Sequence, residues 1–169
     1  MAETKMDAIA LLKKDHDEVQ ELFEQFSKAT GDGRKEKLAL KICRELTIHS
    51  KIEEEIFYPA CDGKVDEDLL KEGYVEHDAA KLMIAEIEAG EPSDEFYDAK
   101  VKVLCEEIDH HIQEEEKRME GLFAQARKAG LDMDALGEQL ARRKAELMQQ
   151  TESGALPTPE LTTMDEAKV

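Results

Sequence analysis

The chain has 169 residues and a formal net charge of −18. This length suits one domain with its own hydrophobic core. The acidic balance argues against nucleic acid or an anionic membrane as a partner, because both require a basic surface. Three isolated cysteines, no secretory leader and no apolar run long enough to cross a membrane predict a cytoplasmic protein.

Two helices are predicted in the first part of the chain. The first covers about residues 4–29, has a cap-like start formed by Thr4 with Asp7, and ends at the GDG sequence of residues 31–33. The second covers about residues 34–58 and stops at Pro59.

Two more helices are predicted before residue 130. One covers about residues 67–89, and the other runs from a cap at Ser93 or Asp94 to about residue 129, with Met119 on its apolar core stripe. Because the connections are short, consecutive helices should be antiparallel neighbours. Residues 1–130 are therefore predicted to form an all-α, up-down-up-down antiparallel four-helix bundle.

The rest of the chain is predicted to add one helix and a tail. Residues 131–150 form the additional C-terminal helix, since Leu136, Leu140 and Leu147 recur at helical spacing. Residues 151–169, which contain SGALPTPE, have the composition of a disordered, flexible tail.

Each bundle helix carries a histidine on its apolar stripe, where a core leucine is expected. These histidines are His16, His49, His77 and His111. Glu53 follows the second of them by four residues and Glu115 follows the fourth, so each pair shares one helix face.

The second half of the bundle weakly repeats the first. When Cys43 is aligned with Cys105, His49 falls over His111 and the two glutamates fall over each other. This register selects His111, and not the adjacent His110, as the residue on the buried stripe.

The helix lengths place these polar side chains at one depth in the bundle. Two buried carboxylates without compensation would cost several kcal/mol each, a cost that metal ions remove. We predict two metal ions, with two histidines on each and bridging glutamates, held by His16, His49, Glu53, His77, His111 and Glu115. Such a donor set also suits tetrahedral zinc. Asp15, Asp78 and Asp109 are candidates to orient the imidazoles.

The segments HSKIEEEIFYPA and HHIQEEEKRMEGLF, with those around His16 and His77, resemble the hemerythrin-like (HHE cation-binding) family of bacterial single-domain type. The resemblance covers roughly residues 4–127. It implies two iron ions in a non-heme di-iron centre with a bridging oxo or hydroxo group. It also implies that the four histidines are terminal ligands, that the two glutamates bridge, and that the centre binds O₂, nitric oxide or peroxide.

One departure from that family concerns the third helix. Oxygen-carrying members have HxxxH there, which gives one iron an additional histidine. Here Lys81 lies four residues after His77 and Gly73 lies four residues before it. Water, another carboxylate or Tyr74 can fill the place, and the departure argues against simple reversible O₂ carriage.

The remaining charged side chains near the motif receive simpler interpretations. We expect Lys81 to extend its ammonium group into solvent. We expect the neighbouring glutamates to be solvated helix faces; they are Glu54, Glu55, Glu114 and Glu116.

Together these features favour a protein that binds or senses O₂, nitric oxide or peroxide. One alternative is an enzyme that decomposes peroxide or reduces nitric oxide at the same centre, and another is iron storage or delivery. A purely structural bundle, or one that holds two zinc ions, is also compatible with the pattern. No nucleic-acid or membrane partner is expected, and no oligomeric state is indicated.

Overall fold

The computed structural model describes residues 5–154 and 158–165, and this part of the chain contains helices and no strand. In chain order the helices are α1 (Ala8–Lys28), α2 (Asp32–Ile52), α3 (Tyr58–Cys61), α4 (Glu67–Ala89), α5 (Tyr97–Glu116), α6 (Leu122–Lys128) and α7 (Met133–Glu152). A short π-helix, Glu53–Phe57, joins α2 to α3. Helices α1 and α4 each neighbour both α2 and α5. This arrangement confirms the predicted all-α four-helix bundle.

The core of the bundle consists of two apolar clusters with the histidine layer between them. In α1, Leu12 belongs to one cluster and Val19 to the other, and the buried His16 lies between these two residues. The first helix begins later than predicted, because Asp7 caps it and accepts a hydrogen bond of 2.8 Å from the Ala10 N–H. The cap-like start predicted at Thr4 lies outside the described residues.

The predicted stop at Pro59 is wrong. The chain stays helical through the π-helix and α3, and Pro59 lies in the first turn of α3. A proline is tolerated there because its missing N–H has no required partner in the first turn of a helix.

The predicted fourth helix is in fact two helices. Asp94 does not cap it but accepts a hydrogen bond of 2.8 Å from the Glu91 N–H within a turn, and α5 begins only at Tyr97. After Glu116 the chain leaves the helix, so Met119, expected in the core, is 83% exposed. The turn requires Gly121, because a Cβ atom there would lie 2.6 Å from backbone atoms of Lys117.

Helix α7 is the additional helix that the sequence predicts. It packs against α1 and α2, and Leu140 and Leu147 are fully buried. Residues 158–165 lie against α4, whereas residues 155–157 and 166–169 of the predicted tail are outside the described part of the chain. Mobility of residues 151–169 stays a prediction. Within the described residues, no helix is long and apolar enough to span a membrane.

Candidate metal centre

The four stripe histidines converge at mid-height in the bundle, and all four are buried. Their Nε2 atoms face each other in two pairs. His16 on α1 lies 3.1 Å from His49 on α2, and His77 on α4 lies 3.2 Å from His111 on α5. Each antiparallel helix pair therefore supplies one pair of imidazole nitrogens.

Glu53 connects the two histidine pairs. Its Oε1 atom lies 2.9 Å from His49 Nε2 and 3.3 Å from His77 Nε2. This carboxylate therefore contacts one histidine from each half of the bundle.

Glu115 makes the corresponding connection with both of its oxygens. Oε1 lies 3.0 Å from His111 Nε2, and Oε2 lies 3.4 Å from His16 Nε2. The ligand atoms fall into two groups that share this glutamate: Glu53, His77, His111 and Glu115, and His16, His49 and Glu115. The structure thus brings together all six residues that the sequence predicts as metal ligands.

The cage fits a pair of cations. Both carboxylate oxygens of Glu53 and Oε2 of Glu115 are buried and make no well-aligned hydrogen bond, although imidazole nitrogens lie 2.9 to 3.4 Å from Glu53 Oε1 and Glu115 Oε2. Buried charged oxygens without partners are costly, and coordination to a cation removes that cost. The imidazole nitrogens and carboxylate oxygens are also the donor types that divalent transition metals take in proteins.

Two of the histidines are oriented by an acidic residue from the neighbouring helix. His49 Nδ1 lies 3.0 Å from Asp15 Oδ2, as expected for one of the predicted candidates. His111 Nδ1 lies 3.0 Å from Glu76 Oε1 in the same way. A hydrogen bond at Nδ1 keeps the Nε2 lone pair directed into the cage.

The other two histidines meet glutamates that were expected to be solvated, and for these two residues that expectation is wrong. Glu116 lies 3.3 Å from His16 Nδ1, and Glu54 lies 3.4 Å from His77 Nδ1. Each follows a cage glutamate directly in sequence. Because the adjacent residue points about 100° away around the helix, it reaches the outer side of the neighbouring imidazole.

Asp78 and Asp109, the other predicted orienting residues, do not contact the histidines in this way. Asp109 accepts a hydrogen bond of 3.1 Å from Gln20. Asp78 pairs with Lys81 at 3.2 Å. Burial raises the pKa of Asp78, but hydrogen bonds from Thr162 and Thr163 outweigh burial and lower this pKa to about 2.

The cage groups carry compensating charges. Burial lowers the pKa of His49, but the charge of Glu53 and the hydrogen bond of Asp15 raise it to about 10. Burial raises the pKa of Glu115, yet its interaction with His111 holds that pKa well below the usual range. Ionised carboxylates paired with protonated imidazoles are the arrangement that a metal cation replaces when its ligands lose their protons.

Tyr58 is a cage residue that sequence reasoning missed. Its hydroxyl oxygen lies 3.3 Å from His77 Nε2 and 3.4 Å from His111 Nε2, and it donates a hydrogen bond of 2.5 Å to Glu115. Burial and then the charge of Glu115 raise the pKa of Tyr58 well above its ordinary value. The π-helix brings this residue into the site, because the Tyr58 N–H donates to the carbonyl of Glu53, five residues earlier.

Tyr58 also contacts Gly73, one of the two positions where an HxxxH pattern would carry its second histidine. A Cβ atom on Gly73 would lie 3.0 Å from the Tyr58 hydroxyl oxygen, so the phenol fills the space beside this glycine. Tyr74, the tyrosine that the sequence offered for that place, instead packs edge-on against Tyr58 with 5.0 Å between ring centroids.

Lys81, the other residue at the departure from the family pattern, does not reach solvent as expected. The residue is 7% exposed, and its ammonium group lies 2.9 Å from Glu54 and 3.2 Å from Asp78. The buried Asp78 and the half-buried Glu54 hold it inside the protein. His110, in contrast, is an exposed flanking residue as predicted.

A small apolar cavity adjoins all four histidines. Its volume is about 30 Å³, and it extends from the cage toward one apolar cluster. The apolar side chains in its wall are Val19, Leu46, Ala80, Ile84, Ile108 and Ile112. On the other side of the cage, Phe123 stacks on His16 with 5.8 Å between ring centroids.

Residues 7–123 match the family described as "Hemerythrin HHE cation binding domain". The chain belongs to this family. The matched residues include every side chain of the cage and lie within the range that the sequence motifs indicated. The HHE domain thus accounts for the bundle and not for α7.

Known proteins show the same likeness. A crystal structure of a hemerythrin HHE cation binding domain-containing protein from Mycobacterium kansasii has a TM-score of 0.72 and 20% identity, covering 89% of this chain and 94% of that chain. A DNA nickase of Nostoc sp. is 27% identical over 109 residues, which are 64% of this chain. This chain spans only 31% of the nickase, so most of that relative is unmatched.

Proposed function

We propose that this HHE protein holds two iron ions and binds O₂, or a related small molecule such as nitric oxide or peroxide, at the di-iron centre. Iron supplies the capacity to bind and exchange electrons with such molecules. The observation that carries the proposal is the pair of ligand groups that share Glu115 and adjoin a small apolar cavity.

The proposed ligands are the six residues predicted from sequence, with one histidine pair for each ion. Glu115 is suited to bridging because its two oxygens face different pairs, toward His111 and toward His16. Glu53 also contacts one histidine of each pair.

The number of donors favours iron over zinc. The group that contains His77 and His111 has four ligand residues, and the adjoining cavity leaves room for an external molecule as a fifth ligand. Structural zinc almost always takes four ligands. Histidine and carboxylate donors with positions left for an external molecule are typical of non-heme iron.

The cavity favours a small, uncharged ligand. A single buried water needs about 10–15 Å³ of such space, so the volume of about 30 Å³ suits a diatomic molecule. The aliphatic wall offers few hydrogen bonds and is too tight for an organic substrate. The four histidines in the same wall place such a molecule directly beside the proposed ions.

Peroxide decomposition is a second candidate, and the observation that favours it is Tyr58. This buried phenol donates to Glu115 inside the cage and can pass a proton to or from a bound oxygen species. Two molecules of hydrogen peroxide would give one O₂ and two waters, so no further oxidant or reductant is needed.

Metal analysis with a visible spectrum tests the main proposal. Protein loaded with Fe²⁺ without air should contain two irons per chain, one for each ligand group. Its spectrum should change when O₂ or nitric oxide is added. His111→Ala should lose about one of the two irons and this response, whereas His110→Ala at the neighbouring exposed position should keep both irons and the response. Iron content near zero, or no spectral change with either gas, contradicts the proposal.

Oxygen evolution after addition of hydrogen peroxide tests the second candidate. Iron-loaded protein should evolve O₂ faster than the same concentration of free iron, and Tyr58→Phe should slow this reaction while it retains both irons. Evolution no faster than that of free iron excludes the enzyme and leaves ligand binding.

We also propose that the protein works in the cytoplasm without a nucleic-acid or membrane partner. The net charge of −18 supports the absence of such partners, because phosphate backbones and anionic lipids attract basic surfaces. A filter-binding assay with DNA at low salt tests this, and tight binding would contradict it.

A further inference from the structure

A segment near the C-terminus is anchored beside the cage. We call residues 158–165 the C-terminal strap. The backbone N–H groups of Thr162, Thr163 and Met164 donate hydrogen bonds of 3.1, 2.6 and 3.0 Å to the same Asp78 oxygen, and the Thr163 hydroxyl adds one of 2.7 Å. Hydrogen bonds to a charged group are stronger than neutral ones. The strap is thus fixed to the residue that follows His77.

The strap also holds Lys81. The Lys81 ammonium donates a hydrogen bond of 2.9 Å to the carbonyl of Glu160 and one of 3.4 Å to the hydroxyl of Thr162. The same hydroxyl donates a hydrogen bond of 2.6 Å to Glu54, which also pairs with Lys81. The strap therefore supplies two of the oxygen partners of this buried cation.

Lys81 stands between two cavities. The inner one is the cavity of about 30 Å³ that touches the four histidines. The outer one has a volume of about 320 Å³ and is walled on one side by the strap, including the exposed Thr158 and Glu160. Ser50 and Lys81 line both cavities, so they form part of the wall that separates them.

The charged side chains along this route affect the passage of a metal ion more than the passage of a neutral gas. The outer cavity is lined by Glu54, Glu55 and Glu160 and, besides Lys81, by one further cation, Lys51, which pairs with Glu55; the lining is therefore acidic overall and attracts a metal ion. The Lys81 ammonium at the inner wall repels a metal ion as long as the strap holds this ammonium in place. A neutral diatomic molecule is not sensitive to this barrier.

We propose that the C-terminal strap and Lys81 form a gate that controls the exchange of metal ions between the cage and solvent. The inference rests on the proposed function, since it requires a metal in the cage. While the strap is bound to Asp78, Lys81 closes the route through the outer cavity. When the strap leaves, Lys81 loses two partners and can turn outward with the departing or arriving ion.

The rate of metal release to a chelator tests the gate in the full-length protein. Thr163→Pro removes both the N–H and the hydroxyl that bind Asp78 and leaves the bundle unchanged. It should accelerate the transfer of Fe²⁺ to a coloured ferrous chelator about tenfold without air. Thr163→Val removes only the hydroxyl and should give a smaller acceleration.

Lys81→Met tests the second half of the gate, with Lys71→Met on the same helix as the control. Lys71 is exposed, and within the described part of the chain its ammonium group pairs with Glu67 on the helix surface, so its replacement should leave the release rate unchanged. Lys81→Met should accelerate release by at least as much as Thr163→Pro. Circular dichroism checks the fold of each variant, and Thr163→Pro keeps the test valid if Lys81→Met unfolds.

The outcomes separate the two proposals. A wild-type protein that takes up no metal overturns the proposed function. A protein that takes up metal but releases it at the same rate in wild type and Thr163→Pro overturns the gate. A folded Lys81→Met variant with the wild-type rate also overturns it. Slow hydrogen exchange of the Thr162 to Met164 amides in the wild type, and fast exchange in Thr163→Pro, would support it.

Discussion

The two halves of the bundle carry the same ligand pattern but continue differently after it. In each half an acidic residue precedes the first histidine and orients the second one, as Asp15 does for His49 and Glu76 does for His111. After Glu53, a π-helix leads to Tyr58. After the second cage glutamate, the helix breaks and the chain turns through Gly121.

This difference makes the two sides of the cage chemically unequal. The histidines of α4 and α5 face the Tyr58 hydroxyl, whereas His16 on α1 is covered by the apolar ring of Phe123. The repeat therefore accounts for the predicted ligand set, and the segments that follow the two glutamates decide which other side chains surround each histidine pair.

The largest effect should come from the glutamate that the two halves share. Glu115→Ala removes a ligand from both groups and should abolish the binding of both irons. His16→Ala affects only one group and should leave about one iron per chain. Metal analysis after dialysis measures the iron content of both variants. Glu114→Ala, a half-buried residue outside the two ligand groups, is the control. Two irons in Glu115→Ala would contradict the shared-ligand arrangement.

Removal of the proposed metal should destabilise both halves together, because its ligands come from all four bundle helices. At a free metal concentration of about 100 Kd, each site contributes about 2.7 kcal/mol, so even one site corresponds to roughly 5–10 °C in Tm for a chain of this size. Thermal unfolding with and without a chelator measures the change. An equal Tm in both conditions would mean that the metal does not bind the folded state preferentially.

The turn that is peculiar to the second half should depend on its glycine. Gly121→Ala places a Cβ atom 2.6 Å from the Lys117 backbone and should cost about 1–3 kcal/mol of unfolding free energy. Gly33→Ala is the control, since a Cβ atom there meets nothing within 4 Å. Urea unfolding of metal-free protein compares the two variants. Equal stabilities would show that the turn rearranges at no cost.

Substitutions at Tyr58 and Gly73 should have coupled effects on the free energy of unfolding. Gly73→Ala pushes a methyl group against the Tyr58 hydroxyl, 3.0 Å away, and should destabilise the protein by about 1 kcal/mol despite the better helix propensity of alanine. In a Tyr58→Phe background the same change should be neutral or stabilising. A double-mutant cycle by urea unfolding measures this coupling, and additive effects would contradict it.

The smallest effect concerns the cysteines that align the two halves. Burial raises the pKa of the Cys43 thiol to about 12, and burial with the charge of Asp109 raises that of Cys105 to about 11. Little thiolate is present at pH 8, so both should react slowly with a disulfide reagent. Cys105, which is partly exposed, should react first. Rapid reaction of Cys43 would show that this part of the core opens.

The ligand positions were predictable because they follow a simple period. Helical spacing places His49 and Glu53 on one face, and the repeat distinguishes His111 from His110. The boundaries of α4 also agree with the prediction, because Asp66 caps its start and Gly90 marks its end.

The remaining parts of the site depend on departures from that period. The extra residue of the π-helix turns Tyr58 into the cage, and nothing in the sequence EEEIFY marks such a turn. Met119 was expected in the core because the spacing was continued through a helix that ends at Glu116. The burial of Lys81 depends on the distant strap, a contact that local spacing cannot indicate.

Anomalous diffraction at the iron absorption edge, from crystals of the iron-loaded protein, tests the central claim most directly. The account predicts two peaks per chain, one beside His16 and His49 and one beside His77 and His111, with Glu115 in contact with both. A single peak, or peaks away from these side chains, would contradict it.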